Sequence, residues 1–407
     1  MRKHLSCLAL LLCSAAAHCA QVDPFTIPGF ELVHNAPVNS NADSPDLRDP
    51  VTVWTRMFDE ASKTIDVGQF YVAGQPGSQL DKVLESLEAA GRRGVKIRFL
   101  MDEKGLKISD APTLARIRNI PNLAFRTMDF GRLSGGIIHA KYFVVDRRTA
   151  FLGSQNFDWR ALEHIDETGL RIGDPVTVRQ ISAIFEQDWK AQEAFAAGRV
   201  PPRPTAARSG ACESRASFLV ASPAAYNPAC VADSGKVLPQ LIGSAKRSIQ
   251  VQVMTYAPLE YSETRKRVYY PVIDTALRAA ATRGVRVQLL VANWNLKKPD
   301  VSYLKSLALV PNVEVRFVTV PPAASGFIPY ARVVHSKIMS IDDEIAWVGT
   351  SNWSGGYLDN SRNLEVVMRD PKMAQRVREL QQVWWNSPHT SPIDVARDYP
   401  APHPAEP

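Results

Sequence analysis

The chain has 407 residues, 45% of them hydrophobic, with 22 Gly beside 29 Pro. It can bury two ordinary cores, which excludes a collagen, a disordered tail or one small domain. Its 48 Lys and Arg against 41 Asp and Glu leave a formal charge of +7. That bias suits a phosphate-bearing partner but falls far short of a basic arm that holds nucleic acid by charge alone.

Arg2, Lys3 and His4 form a basic start, Leu5 to Ala17 an apolar run, and small residues stand at Ala15, Ala17 and Ala20. This is the layout of a secretory signal peptide over residues 1–20, its apolar run too short to span a bilayer. Cleavage near Ala20–Gln21 predicts a periplasmic or secreted protein. No transmembrane segment is expected in the mature chain, since no later stretch approaches ~18 unbroken apolar residues. A lipoprotein reading through Cys19 is weaker, because Ala16-Ala17-His18 is a poor approach to a lipidated cysteine. Cys7, Cys13 and Cys19 leave with the leader, and Cys212 and Cys230 remain. In an oxidising compartment this lone pair is expected to bridge, stabilising its short loop by about 3 kcal/mol. Two buried thiols are the alternative, in a stretch with little core to hide them.

In the first half, placed at 21–195, Thr64 to Phe70 alternates as a strand and Gln79 to Ala90 carries a helical pattern. Arg93-Gly94 turns into a second strand through Leu100, and Pro121-Asn122 precedes another. Residues 196–234 hold Pro201-Pro202, Pro204, Pro223 and Pro228 among many Ala and Ser, the composition of a linker or surface excursion. The second half, 235–386, repeats the order: a strand over Ser248–Met254, a helix over Val272–Ala281, and Arg283-Gly284 turning into Val285–Leu290. Pro311-Asn312 then stands 190 positions after its counterpart. Strands alternating with helices imply α/β layers. Residues 387–407 are Pro-rich and expected to be a flexible tail.

One constellation occurs once in each half. His139, Lys141, Asp146, Gly153, Ser154 and Asn156 are matched by His335, Lys337, Asp342, Gly349, Thr350 and Asn352, at +2, +7, +14, +15 and +17 from the histidine in both. Each His and Lys sit two apart in an apolar strand, read as Ile137–Val145 in the first copy, so both side chains leave one face. Asp146 and Asp342 fall at the turn beyond it and are given a structural, turn-capping role. Asn156 and Asn352 return amides, and Ser154 and Thr350 hydroxyls, toward the same cavity.

Two His, two Lys and two Asn around one point make a phosphate cage. One His attacks phosphorus to give a phosphohistidine; the other protonates the leaving oxygen and then activates water. Lysine supplies the charge, so no metal or other cofactor is needed, and no carboxylate or Cys/His set for Mg²⁺ or Zn²⁺ is visible. A working His needs a partner on its other nitrogen. Glu167, 28 residues after His139, and Glu365, 30 after His335, each lie in a following strand, which predicts the pairs Glu167–His139 and Glu365–His335. Solvent-facing carboxylates are the alternative.

The two copies, HxK-x4-D-x6-G-(S/T)-x-N, resemble the phospholipase D superfamily over essentially the whole mature chain. Gly153 to Arg160, Ile328 to Val333 and Gly349 to Gly355 look like the animal endolysosomal members that act as 5′ exonucleases on single-stranded DNA and RNA. Met254 to Pro258 and Tyr270 to Asp274 add to that likeness. The resemblance implies an α/β fold of two pseudo-symmetric halves, each a mixed sheet flanked by helices, with the active site at their interface. It also implies a metal-independent phosphodiesterase in which His139 and His335 divide nucleophile and acid/base, in an order left open. The animal proteins keep a membrane anchor, from which this leader departs.

Two substrates compete. For single-stranded nucleic acid, Trp353 and Tyr357 are the stacking candidates, with Phe157, Trp159 and Trp294 assigned to packing. For a phospholipid headgroup, hydrolysed or transferred, an apolar rim or amphipathic helix would be needed, and none is evident: Gln375 to Trp385 reads as an ordinary terminal helix.

Overall fold

The computed structural model describes residues 23–201, 213–261 and 266–404. The leader at 1–20 and Cys212 lie outside them; Cys230 is disulfide-bonded. No helix of the described residues is long and apolar enough to cross a membrane.

Two sheets organise the chain. Across the first run Thr26–Ile27, Phe30–Asn35, Glu167–Ile172, Thr149–Gly153, Lys141–Val145, Thr64–Gln69, Lys96–Asp102 and Leu123–Met128. Across the second run Ala232–Asp233, Ser217–Ser222, Asn363–Met368, Ile345–Gly349, Ile338–Ile341, Ser248–Val253, Arg286–Ala292, Val313–Val318 and Thr390–Pro392. In both, the central strand (Thr64–Gln69 or Ser248–Val253) pairs parallel with the strand after the first helix and antiparallel with the strand after the histidine. The fold is therefore mixed α/β with an internal repeat.

Local sequence accounts for these elements. Helix Gln79–Arg92 buries Leu80, Val83, Leu84, Leu87 and Ala90 on one face, the spacing of a 3.6-residue period. Gly94, at φ +91°, then turns the chain into the next strand. Helices Pro175–Ala196 and Pro371–Trp385 each begin with an Asp cap that accepts from the amide three residues on, followed by Pro. Leu152, Leu170, Ile181 and Ile184 of the first half share one core with Leu219, Val348, Val366 and Val377 of the second. The halves are thus fused through a common apolar interior, and each has a further core on its outer side.

Three expectations need correction. The strand of the first motif begins at Lys141, not Ile137; residues 137–140 instead run extended beside Arg362. The Pro-rich stretch 196–234 is not all connector, because Ser217–Ser222 pairs with Asn363–Met368 inside the second sheet. Nor is 387–407 a loose tail: Thr390–Pro392 covers the edge of Val313–Val318, and Tyr399 packs edge-on to Phe317. An apolar edge strand needs a cover, and Pro is tolerated at that outermost position.

Asp146-Arg147 and Asp342-Asp343 hold positive φ between 53° and 58° at the two hairpin turns. The Asp146 carboxylate accepts from the amides of Ser62, Lys63 and Thr64, and that of Asp342 from Lys246, Arg247 and Ser248. Each ties its hairpin to the start of the central strand. Close approach of the halves is tightest at Gly136, where a Cβ would fall 2.4 Å from the main-chain carbonyl of Asn360. Gly136→Ala is expected to cost about 1–3 kcal/mol, read by urea unfolding, and to lower turnover because Gly136 borders the histidine segment.

Candidate active site

Each histidine is placed by main chain from the opposite half. The amides of His139 and Ala140 donate to the Arg362 carbonyl at 3.0 and 2.8 Å, and the His335 amide donates to the Asp166 carbonyl at 2.9 Å. Positions 166 and 362 stand 196 apart, as do the two histidines. The exchange is therefore a pseudo-symmetric pair of crossovers.

The orienting partners also cross, which overturns the expected pairs. Glu167 does not meet His139; its carboxylate lies 2.8 and 3.0 Å from His335 Nδ1. His139 Nδ1 is 2.9 Å from Asn363 Oδ1. Glu365 meets no histidine and accepts from the Ser234 and Ser351 hydroxyls. Asn363, not Glu365, occupies the position 28 residues after its histidine, as Glu167 does. Strict use of the +28 spacing would have found it; preference for a carboxylate hid it.

Lys141 and Lys337 are fully buried, each with Nζ on the carbonyl of the histidine two residues before it. Asn156 and Asn352 line the cavity beside both histidines, and the Oδ1 atom of each is buried with no hydrogen-bond partner among the described residues. Ser154 and Thr350 do not serve as expected. Ser154 Oγ bonds the main chain of Thr168, and Thr350 Oγ1 bonds Asn363 Oδ1 and the Leu364 amide. Both hydroxyls hold the neighbouring strand.

The cavity has a volume of about 670 Å³. Phe70, Tyr71, Trp294 and Tyr357 wall it, and Tyr357 stands edge-on to the His139 ring at 4.8 Å. Trp353 is not among the walls; it is buried against Trp347, so the stacking and packing roles expected of Trp353 and Trp294 are exchanged. A rim is present after all, since exposed Ile108, Tyr261 and Tyr330 border the opening. Among the described residues no group of three or more His, Cys, Asp or Glu side chains is arranged to hold a metal ion.

Burial dominates the electrostatics. It pushes His139 and His335 well down, helped by the two lysine charges. Burial also lowers Lys141, with Lys337 adding to it, and brings Lys337 itself down to about 7. Glu167 is pushed up to about 8 by burial, against the pull of Lys337. A dry pocket crowded with cationic groups is stabilised by an arriving anion, and a phosphodiester supplies one.

Glu365 offers a clean test of these shifts because it lies away from the histidines. Burial raises it to about 7 from 4.5, opposed by the Ser234 and Ser351 hydroxyls. Its folded pKa exceeds its unfolded one, so this contribution is complete below about pH 4.5 and lost as pH rises through 7. Relative to Glu365→Gln, the wild type should lose up to about 3 kcal/mol of stability between pH 4 and pH 8. Urea midpoints across that range read it.

Sequence reasoning missed three buried supports. Asp166 accepts from His34, Gln252, Ser336 and Trp384. Asp102 accepts from the Ile138 amide at 2.6 Å, one residue ahead of His139. Arg362 forms a bidentate pair with Asp188 at 2.9 and 2.8 Å.

A family model described as cardiolipin synthase, PLD-like domain, matches residues 54–189 and 238–385. Phospholipase D Z of Dictyostelium discoideum is 31% identical, over 84% of this chain and 85% of that protein. The 5'-3' exonuclease PLD3 of Rattus norvegicus is 29% identical, over 90% and 81%. Among solved structures, phosphatidylserine synthase of Haemophilus influenzae superposes with a TM-score of 0.57 at 12% identity, covering 84% of this chain and 85% of that one; this likeness concerns the fold.

Proposed function

The chain belongs to the phospholipase D superfamily of phosphodiesterases, and from that premise we propose that it cleaves single-stranded nucleic acid, exonuclease-like, through a covalent phosphohistidine. The observation that carries this reading is the aromatic wall of Phe70, Tyr71, Trp294 and Tyr357 around His139 and His335. Aromatic faces stack bases of any sequence at about 1–3 kcal/mol each. The relatives named as 5'-3' exonucleases support it further.

In this reading Nε2 of one histidine attacks phosphorus while Nε2 of the other serves the leaving oxygen and then water. Lys141 and Lys337 balance the non-bridging oxygens, and Asn156 and Asn352 hydrogen-bond them. Glu167 and Asn363 fix the rings by their Nδ1 atoms. Export through the leader, and the Cys212–Cys230 bridge that an oxidising compartment favours, belong to the same proposal.

A second reading keeps specific support. The exposed Ile108, Tyr261 and Tyr330 at the rim could face a bilayer, and relatives named phospholipase D stand beside the exonucleases. Headgroup hydrolysis or transfer is therefore the alternative.

Nucleotide release from a single-stranded oligonucleotide should continue in excess EDTA; a loss restored by Mg²⁺ or Zn²⁺ would contradict the lysine-based site. Trp294→Ala should raise KM for that oligonucleotide about 5- to 100-fold, with bis(p-nitrophenyl) phosphate turnover little changed. Equal effects on both substrates would remove base stacking from the account.

A further inference from the structure

The two histidines sit on chemically different partners. Asn363 cannot turn over: its Nδ2 donates to the Tyr357 carbonyl at 2.8 Å, and its Oδ1 accepts from Thr350 Oγ1 at 2.9 Å. A flipped amide would set two oxygens against each other at Tyr357. The atom facing His139 Nδ1 is therefore an acceptor, so Nδ1 carries the hydrogen and neutral His139 has a bare Nε2.

Glu167 and His335 behave otherwise. Carboxylate with imidazolium puts a hydrogen on Nε2, and so does carboxylic acid with neutral imidazole, because the acid then donates to Nδ1. Only after the pair has lost one proton is Nε2 bare. The pair thus holds one transferable proton in either arrangement.

We propose that His139 is the nucleophile, kept in its reactive tautomer by Asn363, and that His335 on Glu167 is the proton donor and acceptor. This assignment rests on the covalent reading above. The His139 Nε2 lone pair forms the P–N bond as the P–O bond to the leaving group breaks, and that oxygen takes the Nε2 proton of His335. His335 then takes a proton from water as the water oxygen attacks phosphorus. The P–N bond breaks, its electron pair returns to His139, and the Glu167–His335 pair has its proton back. Burial and the charges of Lys141 and Lys337 also disfavour a protonated His139, which has no carboxylate to offset them.

Bis(p-nitrophenyl) phosphate separates the roles, because p-nitrophenolate leaves without a proton. His335→Ala should give a burst of one equivalent of p-nitrophenolate and then stall. Alkaline quench and peptide mass spectrometry should place the phosphoryl group on His139. His139→Ala should give neither burst nor label. Label on His335 in the His139→Ala protein would overturn the assignment alone. No label in either variant while the wild type turns over would overturn the covalent reading and the assignment with it.

Glu167→Gln provides a second route should His335→Ala fold poorly. It should slow oligonucleotide cleavage on the order of 10²-fold or more and move the pH profile, while the p-nitrophenolate burst changes by less than about 3-fold. Equal slowing of both, with an unmoved profile, would reduce Glu167 to a structural part and contradict the proposal.

Discussion

His139→Ala and His335→Ala are each expected to lower kcat/KM for an oligonucleotide by at least about 10⁴-fold, with the urea midpoint little changed. Each ring makes one side-chain hydrogen bond through Nδ1 and borders the cavity, so truncation removes chemistry rather than core. The two losses should not add in the double variant, since attack on phosphorus and proton transfer to the leaving oxygen belong to one step. A near-wild-type rate from either variant would end the paired-histidine account.

Arg362→Met is expected to cost about 3–5 kcal/mol in urea unfolding, because it leaves the buried Asp188 carboxylate without its partner. The guanidinium is fully buried and also serves the carbonyls of Ser222 and Tyr226, so no solvent replaces what is lost. Activity should fall with stability, since the main-chain carbonyl of the same residue accepts the His139 and Ala140 amides. Adding Asp188→Leu should recover part of the loss, because an apolar pair leaves no stranded charge. A cost below about 1 kcal/mol for Arg362→Met would show that the pair is not the buried lock between halves described here.

The repeat, the strand and helix order and the chemistry of the site were legible because each has a period. Ile65 and Val67 alternate into a core, Leu80, Val83, Leu84 and Leu87 follow a helical face, and the motif recurs 196 residues on. What was not legible depends on contacts between the halves. A spacing along one half cannot reveal that Glu167 serves the other half's histidine, and residue type pointed to Glu365 where geometry uses Asn363. The exchange of Trp353 for Trp294 has the same origin: both stand beside strand ends, and only tertiary packing decides which ring reaches the cavity. Ser154 and Thr350 misled because a hydroxyl beside a strand finds a backbone partner before it finds a ligand.

The most direct measurement is turnover of the purified protein in excess EDTA on two substrates side by side, with His335→Ala as blank. One is a 5′-hydroxyl single-stranded oligonucleotide, the other vesicles of phosphatidylcholine and phosphatidylglycerol. Stepwise nucleotide release, with little headgroup release, is the predicted result. Headgroup release alone would contradict the nucleic-acid reading and turn the rim of Ile108, Tyr261 and Tyr330 toward a bilayer.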